Sequence, residues 1–150
     1  MTAQTDFWGE IVPAQERTPL AILREQASLL GTKTKNLVEA TVDTSVSPNG
    51  QFIHRFTLVV PSLSSYKYEL FRIQHGVVSY PISVTSEVLA MPTIRELQTA
   101  PLIFGEVLAR DLTRYRQLET EQEFVDWLRG KLSSPETKKI IANLLAQATS

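Results

Sequence analysis

Between Val38 and Val60 the apolar residues recur at every second position, and this run is broken once, at Ser47-Pro48-Asn49-Gly50. Val38, Ala40, Val42, Thr44 and Val46 precede the break, and Phe52, His54, Phe56, Leu58 and Val60 follow it. A period of two belongs to a strand with one buried face. Pro at the first corner, Asn at the second and Gly where φ is positive describe a type I turn closing into a glycine bulge. Placing Ser47 opposite Gln51 fixes the register: Val46 meets Phe52, Val42 meets Phe56, Ala40 meets Leu58 and Val38 meets Val60. The apolar pairs then share one face, His54 stands opposite Thr44, and Asp43 meets Arg55 on the other face. A slip of one residue destroys that agreement, so turn and pattern reinforce each other.

A second hairpin is expected from Tyr66–Gln74 and Val77–Thr85, with His75-Gly76 as a two-residue turn. Pairing Gln74 with Val77 puts Phe71 opposite Tyr80 and Ile73 opposite Val78 on the core face. Tyr66, Tyr68, Leu70 and Arg72 then point to the second face, beside Ile53, Arg55, Thr57 and Val59. Pro81 makes the last strand an edge or interrupts it.

Helices flank the sheet. Thr18 can cap, Pro19 suits the first helical position, and Leu20, Leu23, Ala27 and Leu30 recur at helical spacing before a stop at Gly31. Thr120 to Glu123 forms a capping box ahead of Phe124, Val125, Leu128 and Leu132. Ser134-Pro135 opens a last helix with Ile140, Ile141, Leu144 and Leu145 on its apolar stripe. In the intervening stretch, Pro92 and Pro101 interrupt any element, and Thr93 with Glu96 can open a short helix. Val107–Leu118 fits a helix on Leu108, Leu112 and Tyr115, or a fifth strand; the strand is preferred because it extends the sheet. The expected fold class is α+β: an N-terminal helix, a four- or five-stranded antiparallel meander, and two C-terminal helices packed on one face. Residues 1–150 read as a single domain, with 1–15 a loosely ordered leader.

Composition narrows the chemistry. The chain has no Cys, which removes disulfides, thiolate nucleophiles and Cys-ligated metals. A formal charge of −1 lacks the broad positive field that draws proteins to nucleic acid, so nucleic acid is disfavoured as a partner. No window is apolar enough for a membrane span, no secretory signal opens the sequence, and a cytoplasmic location is expected. The six glycines form neither a P-loop nor a dinucleotide fingerprint. No metal-ligand spacing occurs, and no cofactor is expected. Ser62, Ser64 and Ser65 lie between the hairpins and do not form a nucleophile elbow.

His54 reads as a part-buried core-face histidine bonded to a neighbouring hydroxyl or carbonyl, with a general base in an apolar pocket as the alternative. His75 reads as a turn residue. Arg110, Arg114 and Arg116 form the densest basic cluster and are candidate contacts for an anionic ligand. On the second sheet face, Arg55, Tyr66, Tyr68, Leu70 and Arg72 have the composition of a protein interaction site, the other reading being that Ser86–Leu118 or a helix covers this face. The expected function is non-enzymatic: an accessory or regulatory protein of inhibitor, immunity or chaperone-like kind, binding another protein or itself as a homodimer. The alternatives are a small-ligand binder or enzyme with a pocket near His54, and sheet-mediated binding of single-stranded nucleic acid.

Overall fold

The computed structural model describes residues 6–85 and 116–150. Its elements are α1 (Pro19–Lys33), β1 (Glu39–Val46), β2 (Phe52–Val60), a 3-10 turn at Pro61–Leu63, β3 (Tyr66–His75), β4 (Ile82–Thr85), β5 (Arg116–Leu118), α2 (Glu121–Leu132) and α3 (Pro135–Ala148). The five strands form an open antiparallel sheet in the order β1-β2-β3-β4-β5, giving an α+β fold.

The first hairpin forms in the expected register, with Val42 opposite Phe56, Asp43 opposite Arg55 and Val46 opposite Phe52. Ser47 N–H donates to the Gln51 carbonyl at 2.8 Å and Gly50 N–H to the Ser47 carbonyl at 2.9 Å. Gly50 has φ +78°, the left-handed conformation the turn requires.

The second hairpin differs from the expectation. Ile73 pairs with Val84 and Gln74 with Ser83, so the connection runs from Gly76 to Pro81 instead of being a two-residue turn. His75 belongs to β3 and is buried. Val78, expected on the core face, is 73% exposed, and Val77 beside it is 90% exposed. The reason is apolar competition: the longer loop brings Ile82 and Val84, both fully buried, into the pairing positions and also buries Tyr80. The Tyr80 hydroxyl donates to the Arg17 carbonyl at 3.1 Å, tying the loop to the residues before α1.

Helix α1 starts as expected, with the Thr18 hydroxyl accepting from Ala21 N–H. It continues through Gly31 to Lys33, and Thr34 caps it; the Thr34 hydroxyl donates to the Val38 carbonyl at 2.6 Å and accepts from Val38 N–H. Its buried stripe includes Ile22 alongside Leu23 and Ala27. At α2 the Thr120 hydroxyl accepts from Glu123 N–H, while the Glu123 carboxylate accepts from Glu119 N–H, one residue earlier than a reciprocal capping box would place it. Ser134 caps α3, and buried Thr137 donates to the Lys131 carbonyl at 2.8 Å, pinning the bend between the two helices.

One hydrophobic cluster joins α1, all strands from β2 to β5, α2 and α3. Phe56 stacks on Phe71 at 5.1 Å, and Trp127 from α2 meets Phe71 edge-on at 5.1 Å. The fifth strand expected within Val107–Leu118 is present at Arg116–Leu118; the rest of that stretch, with Arg110, Arg114 and Tyr115, lies outside the described residues, as does the short helix expected at Thr93.

Candidate functional site

The pairing of β2 with β3 decides which residues can share a surface. Phe56 pairs with Phe71, but Thr57 pairs with Glu69, so Leu70 is an extra residue in a β-bulge. Beyond it Tyr68 lies opposite Leu58 and Tyr66 opposite Val60. Paired residues of an antiparallel ladder point to the same face, and Leu58 and Val60 are core residues. Tyr66 and Tyr68 therefore stand on the helix-bearing face, whereas the alternation read from the sequence had them on the opposite one. Arg55 and Arg72 remain opposite each other on the second face.

The five expected contact residues thus divide into two groups. On the second face, Glu69 lies between the arginines: its carboxylate is 2.8 Å from the Arg72 guanidinium and 3.4 Å from Arg55. Arg55 also donates to the Ser45 hydroxyl at 2.9 Å. With Lys67 and Thr41 nearby in the register, this face carries an internally paired charge cluster beside half-buried Ile53 and Val59 and buried Thr57.

The helix face carries the apolar surface. Between α1 and α3 a cleft of about 180 Å³ is floored by Phe56, Leu58 and Leu70. Its walls are Leu29 and Leu30 of α1, Leu132 at the end of α2 and Ile141 of α3, and Gln26 and Lys33 supply a polar rim. Leu70 is only 8% exposed, because the bulge turns it into this floor, while Leu29 is 46% exposed at the lip. Tyr68, cross-strand neighbour of Leu58, continues the floor outward, and Tyr66 follows; they are 38% and 47% exposed. The volume resembles that of an apolar cavity able to hold a benzene ring, about 150 Å³.

The two histidines, well separated in sequence, are brought together. His54 Nε2 lies 2.9 Å from His75 Nε2, His54 Nδ1 lies 2.9 Å from the Thr44 hydroxyl, and His75 Nδ1 lies 2.7 Å from the Gly76 carbonyl. A carbonyl can only accept, so His75 Nδ1 carries a hydrogen. With both rings neutral, His75 Nε2 accepts from His54 Nε2–H, and His54 Nδ1 accepts from the Thr44 hydroxyl. Burial, then the neighbouring His75 and Arg24, lower the His54 pKa from 6.5 to about 4. His54 is 2% exposed and lines neither the cleft between α1 and α3 nor the cavity beside β5, so its imidazole is a sealed structural link. The hydroxyl bond read from the sequence is present; the second histidine was not foreseen, because it depends on His75 being a strand residue.

Arg116 lines the larger of these spaces, about 560 Å³, between β5 and α2. Glu123 and Asp126 line it together with Lys131, so the charge is mixed and an anion would meet two carboxylates. Among the described residues no group of three or more His, Asp or Glu side chains could hold a metal ion.

The cleft residues Leu29, Leu132 and Ile141 carry no sequence signal beyond helical amphipathicity. The bulge does have one: the apolar and aromatic positions 66, 68 and 70 change parity to 71 and 73 within one strand, and Leu70-Phe71 marks the change. Comparison with protein families, with curated proteins and with solved structures finds no match to this chain.

Proposed function

We propose that this chain is a non-enzymatic, protein-binding accessory domain whose partner seats an apolar side chain between α1 and α3. The observation that supports this reading is the continuity of the cleft floor, Phe56, Leu58 and Leu70, with exposed Tyr68 and Tyr66 on the same face. A partner seated there removes the exposed surface of Leu29, Tyr68 and Tyr66 from water while the two phenol hydroxyls stay free to hydrogen-bond, the combination from which interaction hot spots are built. Lys33 and Gln26 at the rim favour a partner segment with an acidic or amide group beside its apolar anchor. Arg55 and Arg72 lie on the other face and are held by Glu69, so they take no part in this surface. The proposed setting is the cytoplasm; among the described residues no helix is long and apolar enough to cross a membrane.

The reading is tested by pull-down from the native cell extract with three folded variants. Leu29→Asp and the double variant Tyr66→Ala/Tyr68→Ala should lose a protein that the wild type retains, and Lys67→Ala on the opposite face should keep it. Equal recovery by all three rejects the cleft as the binding surface. A pocket at His54 has no comparable support, since that ring is sealed and bonded at both nitrogens.

A further inference from the structure

Asn49-Gly50 is the single Asn-Gly step in the chain, and it lies in the turn between β1 and β2. Both residues are exposed. Beyond its chain neighbours, nothing lies within 4 Å of where a Gly50 Cβ would stand, so the Gly50 backbone nitrogen is sterically open. That nitrogen and the side-chain amide carbon of Asn49 are the two ends of a five-membered ring. The other two asparagines, Asn36 and Asn143, each precede a leucine, whose side chain hinders the same closure. Asn143 also lies within α3, where its side-chain amide donates to the Lys139 carbonyl at 2.8 Å.

The folded turn keeps the two ends of that ring apart. Gly50 N–H donates to the Ser47 carbonyl at 2.9 Å and Ser47 N–H to the Gln51 carbonyl at 2.8 Å, while Gln51 N–H returns to the Ser47 hydroxyl at 3.1 Å. The φ angle is negative at Asn49 and +78° at Gly50, so Pro48 and Asn49 occupy the central positions of a type I turn. The second central residue of such a turn has ψ near 0°. At that angle the Gly50 nitrogen eclipses the Asn49 nitrogen, and the Asn49 Cβ, another substituent of the same carbon, is turned away from it. Closing the ring requires rotating the Gly50 nitrogen to the side of Cβ, which breaks its bond to Ser47.

We propose that Asn49 is a site of spontaneous deamidation gated by the first hairpin, protected while the turn is closed and reactive when it opens. In the open turn, solvent base removes the Gly50 amide proton and the nitrogen attacks Asn49 Cγ. The N–Cγ bond forms, the Cγ–Nδ2 bond breaks, and the leaving nitrogen takes a proton from water and departs as ammonia. Water then opens the ring on either side of the Gly50 nitrogen. Cleavage at Cγ leaves an ordinary aspartate, and cleavage at the Asn49 carbonyl carbon leaves an isoaspartyl link running through Cβ. Aspartate suits a turn, so that product re-forms the hairpin. The isoaspartyl link adds a carbon to the main chain between Ser47 and Gln51, the pair that sets the register of β1 on β2, and the buried face depends on that register. Each opening of the turn thus exposes the hairpin to a permanent change, independently of the cleft between α1 and α3.

The test is peptide mapping of the full-length protein after incubation at mildly alkaline pH, folded and in guanidinium chloride. In denaturant Asn49 should become a mixture of aspartate and isoaspartate, while Asn36 and Asn143 remain amides. In the folded protein the conversion should run about tenfold slower or more, because only molecules with an open turn react. Pro48→Ala, which frees the first corner, should raise the folded rate and leave the denatured rate nearly unchanged. Asn49→Asp should melt close to the wild type, whereas isoaspartyl protein isolated from the denatured incubation and refolded should melt lower. Equal rates in the two conditions overturn the gate, and an Asn49 that stays an amide in denaturant overturns the site. An isoaspartyl form that melts with the wild type overturns the consequence for the fold.

Discussion

His54 and His75 meet through their Nε2 atoms at 2.9 Å, joining the first hairpin to the end of β3 by a contact that only one of the two rings can donate. Protonating both rings would point two N–H groups at each other, and burial further disfavours charge on His54, whose pKa falls to about 4. The unfolded His54 takes its proton near pH 6.5, so between pH 6.5 and about 4 the unfolded chain holds more protons than the folded one. Stability is therefore lost as pH falls through that window. The loss between pH 7 and 5 should be on the order of 2 kcal/mol from this residue. Urea unfolding at both pH values should show a smaller drop for His54→Gln; an undiminished drop assigns the pH dependence to another group.

Two glycines separate the two turn assignments. Gly50 has φ +78° and open space around its missing Cβ, so Gly50→Ala is penalised by backbone conformation alone and should cost about 1 kcal/mol. Gly76 has no positive φ, and nothing lies within 4 Å of where an added methyl would stand, so Gly76→Ala should be neutral or stabilise by about 0.4–1 kcal/mol. A two-residue turn at His75-Gly76 would make both substitutions costly. Thermal melts of the two variants decide it.

Glu69 offsets a like-charge pair. Arg55 and Arg72 are directly opposed across β2 and β3, and the Glu69 carboxylate reaches both. These side chains are partly exposed, which keeps the effect small. Glu69→Gln should destabilise by about 0.5–1 kcal/mol at low salt. The difference from wild type should shrink in high salt as the arginine repulsion is screened. A deficit that salt leaves unchanged points to lost packing instead.

The stack of Phe71 on Phe56, closed edge-on by Trp127, ties α2 to the centre of the sheet. Phe71→Ala should cost about 3–5 kcal/mol. Its fluorescence signature is specific if Trp8, exposed near the N-terminus, is first replaced by Phe: Trp127 emission should then shift to the red in the folded variant. An unshifted spectrum places Trp127 in contact with something other than Phe71.

By itself the sequence determined the elements whose instructions are local. Ser47-Pro48-Asn49-Gly50 dictates its turn, and the alternation on either side allows one register, because any slip would expose Phe56 and Leu58. Thr18-Pro19, Thr120 and Ser134-Pro135 start their helices through bonds made within one turn. Tertiary structure decided what depends on competition between distant segments. Burying Ile82 and Val84 against Ile73 outweighed the short turn at His75-Gly76, moved His75 into β3 and delivered it to His54. The bulge at Leu70 decided the surface, since one extra residue in β3 moves every side chain beyond it to the opposite face. It placed Tyr66 and Tyr68 with the helices and left Arg55 and Arg72 behind the sheet. A period of two records alternation, and only the pairing with β2 shows where its phase is reset.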